Sequence, residues 1–292
     1  MAEACPIELK NVTFTYPGIG EPSLKDINLQ VREGEFLGII GATACGKSTL
    51  LLVMSGAIPH YLPGNLQGEV LIYGERTQAL SLAKITGRIG LVMQDPESQL
   101  FNLFVRDEIV WGMENRGIPR EVMVQRLREA LRFYNIEHLP NRVTYDLSGG
   151  EKQKVALAAI HSTRPAVFLF DNPTSQLDPV GSAMVFEAVR RITQDREHTV
   201  VMVEDKIDEL LEHADRLILM RDGEIALNSE PQEFCQRRDL LERASVRPSQ
   251  VVDLAYELQA AGVDVGGLPL TLDEAEQVFG ALLNSRRRHH VG

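Results

Sequence analysis

The chain has 292 residues, of which 44% are hydrophobic and 24% are charged, enough for one sizeable core with a small unit attached. Its formal net charge of −11 opposes attraction to a phosphate backbone, so we expect no nucleic-acid partner. The sequence shows no apolar run of about 18 residues and no apolar signal-peptide core near its start, and the unpatterned Cys5, Cys45 and Cys235 fit a reducing compartment.

The first third of the chain is predicted to alternate short strands with tight turns. Residues 7–12 and 27–31 alternate apolar and polar side chains, as half-buried strands do. Residues 36–40 are apolar throughout, which is typical of a strand buried on both faces. They lead into a glycine-rich turn and then into a helix predicted over 48–56, and short strand-like pieces follow around Gly68.

Farther along, helical and apolar segments alternate. Residues 106–138 have helical periodicity. Further buried strands are predicted at 166–170, 199–203 and 217–220. Alternation of strands with helices favours a parallel α/β sheet. After about residue 231 the chain is predicted to be helical, with segments at 237–243, 248–260 and 272–283.

The glycine-rich turn has the pattern of a phosphate-binding loop, because a buried strand precedes it and a helix follows. Its N–H groups are expected to converge on phosphate oxygens, and the next helix adds its positive end. We expect Lys47 to contact the β- and γ-phosphates and Ser48 to ligate Mg²⁺. A chance glycine loop is the alternative. The predicted nucleotide-binding residues of this loop are Gly41, Ala42, Thr43, Ala44, Cys45, Gly46, Lys47, Ser48 and Thr49.

Two later segments contain candidate functional residues when they are considered together with the phosphate loop. Asp171 ends the strand at 166–170, the position of an aspartate that holds Mg²⁺ through water, although such an aspartate alone is often a turn residue. The second segment places small residues at the start of a helix, which makes an anion site but alone would be only a helix cap. Its residues are Leu147, Ser148, Gly149, Gly150 and Glu151.

In their order along the chain, these motifs resemble those of an ABC ATPase over residues 7 to about 228. The resemblance implies an α/β fold: a P-loop NTPase core with an antiparallel β subdomain, a helical signature subdomain over about 95–160, and a small C-terminal helical extension. It divides the chain into a nucleotide-binding domain at 1–230 and an extension at 231–292, a possible dimerisation element.

The resemblance also implies roles for single residues. ABC ATPase domains pair head to tail, so that ATP lies between the phosphate loop of one domain and residues 147–151 of the other. Tyr16 looks like the aromatic residue that stacks on adenine. Gln94 resembles the residue that contacts Mg²⁺ and signals to the membrane partner, which makes Ser48, Gln94 and Asp171 the expected metal set. The segment similar to the D-loop is Ser175, Gln176, Leu177 and Asp178.

Weaker motifs resemble the energy-coupling-factor transporters. They are Ile58-Pro59-His60, Gly68-Glu69-Val70, QDPESQLF at 94–101, and Leu268-Pro269-Leu270-Thr271. Such systems import vitamins or metal ions through two ATPases, a transmembrane coupling subunit and a substrate-binding membrane subunit. The resemblance thus implies ATP and Mg²⁺ as cofactors, those partners, and a peripheral position on the cytoplasmic face of the cell membrane. The solute cannot be identified from this chain.

Two positions depart from the family pattern where hydrolysis occurs. The family has a glutamate after Asp171 that activates the attacking water, and this chain has Asn172. Because a carboxamide cannot accept a proton at neutral pH, we expect a loss of roughly 10²–10⁴-fold. The family's switch histidine is replaced by Asp205, which cannot donate when ionised and would repel the γ-phosphate. His198 is a poor substitute, and His213 is interpreted as a surface residue.

The phosphate loop itself has unusual residues. Thr43 stands where the family commonly has asparagine, and Ala44 where it has glycine. We expect alanine to be tolerated only if its φ is negative. Cys45 near Lys47 could have a lowered thiol pKa, but a small packing residue is the favoured interpretation.

By this resemblance, the chain has the residues that bind the nucleotide but lacks the catalytic base and the switch histidine. We interpret the chain as the catalytically weakened half of a heterodimer, whose signature segment completes the active site of an intact partner. A homodimer with reduced activity is the alternative. A non-hydrolysing nucleotide sensor remains open because of Asn172 and Asp205. A soluble ABC protein of translation or DNA repair is disfavoured, since we find one ATPase domain, no inserted coiled coil and no basic face.

Coupling to the membrane subunits is expected in the segment after Gln94. Residues 96–104 are apolar in places and precede a helix around 107–113. Trp111 and nearby phenylalanines either line a groove for a partner helix or pack in an ordinary core, and the sequence weighs both equally.

Overall fold

The computed structural model describes the backbone of residues 5–289 and the side chains of residues 5–283. The first four residues, on which the expectation about a signal peptide partly rests, lie outside the described residues. The strands are β1 (Ile7–Thr15), β2 (Leu24–Val31), β3 (Phe36–Gly41), β4 (Asn65–Ile72), β5 (Glu75–Arg76), β6 (Ile89–Val92), β7 (Val167–Asp171), β8 (Thr199–Val203), β9 (Arg216–Arg221) and β10 (Glu224–Ser229). They form two sheets, one of six strands and one of four.

Helices lie between and after these strands. They are α1 (Lys47–Met54), α2 (Ala57–His60), α3 (Leu82–Arg88), α4 (Val105–Glu114), α5 (Arg120–Phe133), α6 (Gly149–Ser162), α7 (Pro179–Thr193), α8 (Ile207–His213), α9 (Pro231–Gln236), α10 (Arg238–Arg243), α11 (Gln250–Ala260) and α12 (Leu272–His289). The alternation of strands and helices confirms the predicted α/β class.

The larger sheet has the strand order β10-β9-β3-β8-β7-β6. All neighbouring pairs from β9 to β6 are parallel, and only β10 at the edge is antiparallel, paired with β9. β8 lies between β3 and β7, with Val203 opposite both Ile39 and Asp171. The segments that follow these three strands therefore meet at one edge of the sheet.

The six-stranded sheet separates two hydrophobic clusters, as the alternation along β3 shows. Phe36 and Ile40 belong to one cluster, whereas Leu37 and Ile39 belong to the other. Successive side chains of a strand point to opposite faces, so an uninterrupted apolar strand fills both layers. The extension after residue 231 packs into the first cluster through side chains such as Phe234.

The smaller sheet is antiparallel and has the order β2-β1-β4-β5. The register between β1 and β4 shifts between Lys10 and Thr13, where Gly68 has a φ of +84°. A Cβ at Gly68 would lie 2.3 Å from the carbonyl oxygen of Asn11, so only glycine lets β4 approach β1 this closely. The expected antiparallel β unit is present.

Several predicted boundaries differ from the structure. The helical region at 106–138 is two helices, α4 and α5, because a left-handed Gly117 and then Pro119 interrupt it. α6 begins at Gly149, before the sequence-based start at 152, because the Ser148 side chain caps it. α11 begins at Gln250 and not at Pro248, since Ser249 accepts from the Val252 N–H.

Candidate active site

The phosphate loop connects the end of β3 to the start of α1. A Cβ at Gly41 would lie 2.3 Å from the Met220 carbonyl oxygen, and one at Gly46 would lie 2.6 Å from that of Ser23. Gly46 also has a φ of +107°, which L side chains rarely adopt. Both glycines are therefore required by close backbone contacts as well as by the turn.

Ala44 is left-handed, with a φ of +65°. The condition that alanine needs a negative φ at this position was wrong for this loop. An L-residue with a Cβ in this region stores about 1–2 kcal/mol of backbone strain, which the surrounding loop must overcome. The loop therefore keeps a left-handed backbone at this position with an alanine, where the resemblance led us to expect glycine.

Cys45 is buried, with 7% of its surface exposed, and belongs to the second hydrophobic cluster. Burial raises the pKa of its thiol, and the nearby Lys47 charge only partly opposes this shift. The possibility of a lowered thiol pKa was therefore wrong, and the interpretation as a packing residue is confirmed.

Lys47, the first residue of α1, is held at the mouth of the loop. Its Nζ donates to the carbonyl oxygens of Gly41 at 2.6 Å and Ala42 at 3.1 Å. The same atom lies 3.5 Å from Oδ1 of Asp205. Because only 7% of its side chain is exposed, this ammonium is a positive charge fixed by three oxygens beside the loop N–H groups.

Ser48 and Asp171 are 123 residues apart and meet in space. The Ser48 hydroxyl donates to Oδ1 of Asp171 at 3.0 Å. Burial raises the pKa of the Asp171 carboxyl, with a further increase from the Asp205 charge and opposing effects of Ser48 and Lys47. A hydroxyl and a carboxylate at this distance are oxygen ligands of the kind Mg²⁺ prefers, so these residues fit a magnesium site.

Tyr16 contacts the phosphate loop, whereas Gln94 follows β6. The Tyr16 hydroxyl lies 3.2 Å from Oγ1 of Thr49, and its ring meets Phe14 edge-on at 4.8 Å between centroids. Gln94 is exposed just after β6. Gln99, to which the sequence argument gave no role, holds this segment: its Nε2 donates to Leu91 O at 3.1 Å and its Oε1 accepts from Met93 N at 2.8 Å.

Asn172 and Asp205 are in contact. Nδ2 of Asn172 donates to Oδ2 of Asp205 at 3.0 Å, and Asn172 adopts a left-handed φ of +47°. Its Oδ1 is buried and has no hydrogen-bond partner among the described residues. The two positions that depart from the family pattern thus form one polar unit beside Lys47.

The two histidines considered as substitutes lie elsewhere. Nδ1 of His198 is 3.0 Å from the Pro165 carbonyl oxygen, before β8 begins, which agrees with the expectation that it cannot replace the switch residue. His213 is not a surface residue as expected: 16% of its side chain is exposed, and its ring lies 6.2 Å from that of Phe186. It ends α8 and turns toward α7.

A buried carboxylate, Glu204, organises the loops of this edge. It is 1% exposed and accepts from the Thr174 hydroxyl at 2.7 Å, and its other oxygen accepts from the N–H groups of Asp205 at 2.9 Å and Lys206 at 3.3 Å. Burial raises the pKa of Glu204, against these hydrogen bonds. We did not predict this role of Glu204 from the sequence. A glutamate directly after an uninterrupted apolar strand was the signal available.

The D-loop segment continues from the same edge. Ser175 N donates to the Asn172 carbonyl at 3.2 Å and Leu177 N to that of Thr174 at 3.1 Å. Asp178 caps α7 by accepting from Gly181 N at 2.7 Å. Gln176, between them, is exposed. These contacts fix the position of the segment relative to Asn172.

The signature segment is built separately on α6. Ser148 and Glu151 form a reciprocal capping box, with Ser148 N donating to the Glu151 carboxylate at 2.8 Å. Leu147 is buried, and a Cβ at Gly149 or Gly150 would meet no atom within 4 Å. In the part of the chain that the structure describes, no hydrogen bond or ion pair joins residues 147–151 to residues 41–49.

Together the fold and the β3, β7 and β8 edge define a P-loop nucleotide-binding protein. The family described as "ABC transporter" matches residues 24–175, and the chain belongs to this family as an ATP-binding domain. It is 41% identical over 257 residues to an ABC transporter ATP-binding protein of Pyrococcus abyssi, covering 88% of this chain and 92% of that one. A similarly named protein of Pyrococcus horikoshii is 39% identical, with 94% and 96% covered.

Solved structures agree with the assignment. CbiO1 of Clostridium perfringens, part of the ABC transporter complex CbiONQ, matches with a TM-score of 0.72 and 25% identity over 88% of this chain and all of that one. The dimeric cassette MJ0796 in a post-hydrolysis state, bound to ADP and Pi, matches with a TM-score of 0.68 and 28% identity over 77% and 98%. The chain spans about half the length of another relative, from Caldanaerobacter subterraneus, at 37% identity.

Proposed function

We propose that this chain is the ATP-binding subunit of an energy-coupling-factor type ABC importer. ATP binding and hydrolysis would drive uptake of a small solute such as a vitamin or a metal ion. The observation that carries the proposal is the contact of Ser48 with Asp171 at 3.0 Å beside the fixed ammonium of Lys47. The subtype is supported by the motif at 94–101 and by the likeness to CbiO1, which belongs to an ABC transporter complex.

Mg²⁺ and ATP are the proposed ligands of this edge. Ser48, Asp171 and Gln94 would hold the ion, which offsets phosphate charge when bound. Its positive charge would favour the ionised form of Asp171, whose pKa burial raises. The loop N–H groups and Lys47 would bind the phosphates, and Tyr16, beside Thr49, is proposed to stack on adenine.

A second ATPase subunit is needed to complete the site. The signature segment is ordered by its capping box, yet its glycines face open space, so their backbone can approach a nucleotide held by another subunit. We propose that residues 147–151 and the D-loop residues Ser175, Gln176, Leu177 and Asp178 lie at this subunit interface. The likeness to a dimeric cassette supports a paired arrangement.

Within that pair, this chain is proposed to be the weakened half. Asn172 cannot act as a general base, and its Nδ2 is engaged by Asp205. Asp205 in turn offers a carboxylate where the family has a histidine donor. The chain's own site would then bind ATP and turn it over slowly, while its signature segment serves a partner that has the intact glutamate and histidine.

An exposed aromatic patch is proposed as the contact with the transmembrane coupling subunit. Phe101 is 60% exposed and meets Trp111 edge-on at 4.5 Å, and Leu103 is 49% exposed. This exposure favours a docking groove over ordinary core packing. Glu108, 5% exposed, holds the segment by accepting from the N–H groups of Phe101 at 3.1 Å and Asn102 at 2.8 Å.

An ion pair connects the segment that carries the aromatic patch to α6, the helix that begins at the signature segment. Lys152, in the first turn of α6, pairs with Glu97, three residues after Gln94. Movement of the groove would therefore reach the segment that completes the partner's site. No helix in the described part of the chain has the length and apolarity to cross a bilayer. We propose a peripheral position on the cytoplasmic face of the cell membrane, with a substrate-binding membrane subunit in the same complex.

The extension is proposed as a separate dimerisation element. We propose that the ATPase domain occupies residues 1–230, with its helical part at about 95–160, and that the extension occupies residues 231–292. Leu272 and Leu283, on α12, are 78% and 65% exposed, which is the kind of surface a second subunit covers.

A single-turnover assay of the purified heterodimer tests the proposal. Radiolabelled ATP is loaded under conditions of one turnover, with the partner's P-loop lysine replaced so that only this chain's site is occupied. We expect hydrolysis at this site to be slower by at least two orders of magnitude than at the partner's site, measured in the reciprocal variant. Equal rates at the two sites would contradict the weakened-half proposal.

A second candidate is a non-hydrolysing nucleotide sensor, which the Asn172–Asp205 contact favours. ATPase activity of this chain alone and then with its partner separates the two. Nucleotide binding without any hydrolysis in either state would support the sensor, whereas stimulated hydrolysis in the complex supports the transport subunit.

A further inference from the structure

Asp205 is held in place by residues that follow three neighbouring strands of the sheet. It follows β8, which lies between β3 and β7 in the sheet. Its Oδ1 is 3.5 Å from Lys47 Nζ, and its Oδ2 accepts from Asn172 Nδ2 at 3.0 Å. Its own N–H donates to Glu204 at 2.9 Å, which fixes the backbone behind the carboxylate. Both oxygens and the backbone therefore hold the negative charge against the P-loop lysine.

The ammonium of a P-loop lysine contacts the β- and γ-phosphates of the bound nucleotide. In this chain a carboxylate already contacts it, so a bound nucleotide meets an anion of the protein where its last phosphate would lie. ADP lacks the γ-phosphate, whereas the γ-phosphate of ATP would bring further negative charge toward Asp205. Like charges at such distances disfavour binding, by an amount that solvent reduces because 58% of the Asp205 side chain is exposed.

Among the described residues, no cation other than Lys47 forms an ion pair with this carboxylate. Lys206, the next residue, directs its Nζ away and donates to Ser182 Oγ at 2.7 Å. Asn172 is neutral, and Asp171 adds a second carboxylate on the same edge, facing Ser48. Lys47 is thus the one cation that contacts Asp205 in the described part of the chain, and it is the group that the nucleotide also requires.

We propose that Asp205 sets the nucleotide preference of this site by disfavouring the γ-phosphate, so that the site binds ADP at least as tightly as ATP. The inference rests on the proposed function, because it assumes that residues 41–49 bind nucleotide. A subunit with this property would bind ADP or ATP according to the ratio of the two nucleotides. Its occupancy would then depend on energy state as well as on transport.

Equilibrium titration of the full-length chain tests the proposal, with ADP and with the β,γ-imido analogue of ATP so that hydrolysis does not intervene. Asp205→Asn keeps the size of the side chain and an acceptor for Asn172. The matched control is Asp208→Asn, which removes one exposed carboxylate three residues farther on, in the first turn of α8. Each affinity is measured at low and at high salt with constant Mg²⁺.

We expect the unaltered chain to bind ADP with equal or higher affinity. Asp205→Asn should raise the affinity for the ATP analogue relative to ADP on the order of tenfold at low salt, with a smaller effect at high salt. Asp208→Asn should leave the ratio within about twofold. An unchanged ratio in Asp205→Asn, or an equal change in both variants, overturns the proposal. Binding of neither nucleotide by any variant would instead refute the proposed function.

Discussion

Restoring both altered positions should recover hydrolysis, whereas restoring one should not. Asn172→Glu supplies the missing base, whose absence costs roughly 10²–10⁴-fold, or about 3–5 kcal/mol of barrier. In the structure, however, the side chain at position 172 lies 3.0 Å from Oδ2 of Asp205. A glutamate there would face a like charge at about that separation, with a repulsion between about 1 and 5 kcal/mol as the effective dielectric falls from 80 to 20.

Two carboxylates so close tend to share a proton, which removes the base at neutral pH. Asn172→Glu alone should therefore stay within about tenfold of the unaltered rate. Asp205→His removes the repulsion and supplies a donor but no base, so it should also stay slow. The double variant should gain at least 10²-fold, or about 3 kcal/mol, so the coupling between the two positions is at least about 1 kcal/mol after a gain of up to tenfold in Asn172→Glu is subtracted. The left-handed φ of +47° at residue 172 opposes the gain by about 1 kcal/mol.

Phosphate release from the assembled complex is the assay, with the partner's own P-loop lysine replaced so that only this chain's site turns over. Asn172→Gln with Asp205→His is the matched control, since it introduces the longer side chain without a base. Full recovery by Asn172→Glu alone, or additive effects of the two changes, would refute the inferred electrostatic conflict. Equal recovery in the glutamine control would show that side-chain length, and not a base, limits the rate.

Three further predictions concern stability and the groove. Burial lowers the pKa of His161 to about 4, below its pKa of 6.5 in the unfolded chain, so the folded chain loses stability as the pH falls below 6.5. His161→Phe should remove about 2 kcal/mol of that loss between pH 7 and 5, measured by chemical denaturation. Glu108→Ala leaves two N–H groups of the Phe101 segment unsatisfied and should weaken binding of the membrane subunit in pull-down assays without changing ATP affinity. Glu35→Ala leaves the largely buried Arg216 without its carboxylate at 2.6 Å, and urea denaturation should show a loss of about 3–5 kcal/mol.

The main sheet was predictable because its strands are buried on both faces. Residues 36–40 and 200–203 are apolar without interruption, and the structure places both in the middle of the parallel sheet. The phosphate loop was predictable for a related reason, since a Cβ at Gly41 or Gly46 would lie 2.3–2.6 Å from a backbone carbonyl oxygen. Local patterns with such steric causes can be seen in one sequence.

Other features depend on contacts between distant segments, which a single sequence does not show. The left-handed Ala44 breaks the local rule, because the rest of the loop determines its backbone. Gln99 and Glu204 hold backbone groups of the loops around them, and the partners of these contacts cannot be identified from the sequence alone. The start of α11 was misplaced because Ser249 caps it and Pro248 does not.

The contact between Asn172 and Asp205 shows that the sheet brings together the two positions at which we expected a different residue from the resemblance. From the sequence, each was interpreted as the loss of a group, first a base and then a donor. β7 and β8 are parallel neighbours with Asp171 opposite Val203, so the residues that follow each strand are held together. In that position an amide N–H facing a carboxylate is a matched pair, whereas a glutamate facing the same carboxylate is not. A change at one position therefore alters which residue the other tolerates, and Asn172 and Asp205 form a single polar unit beside Lys47.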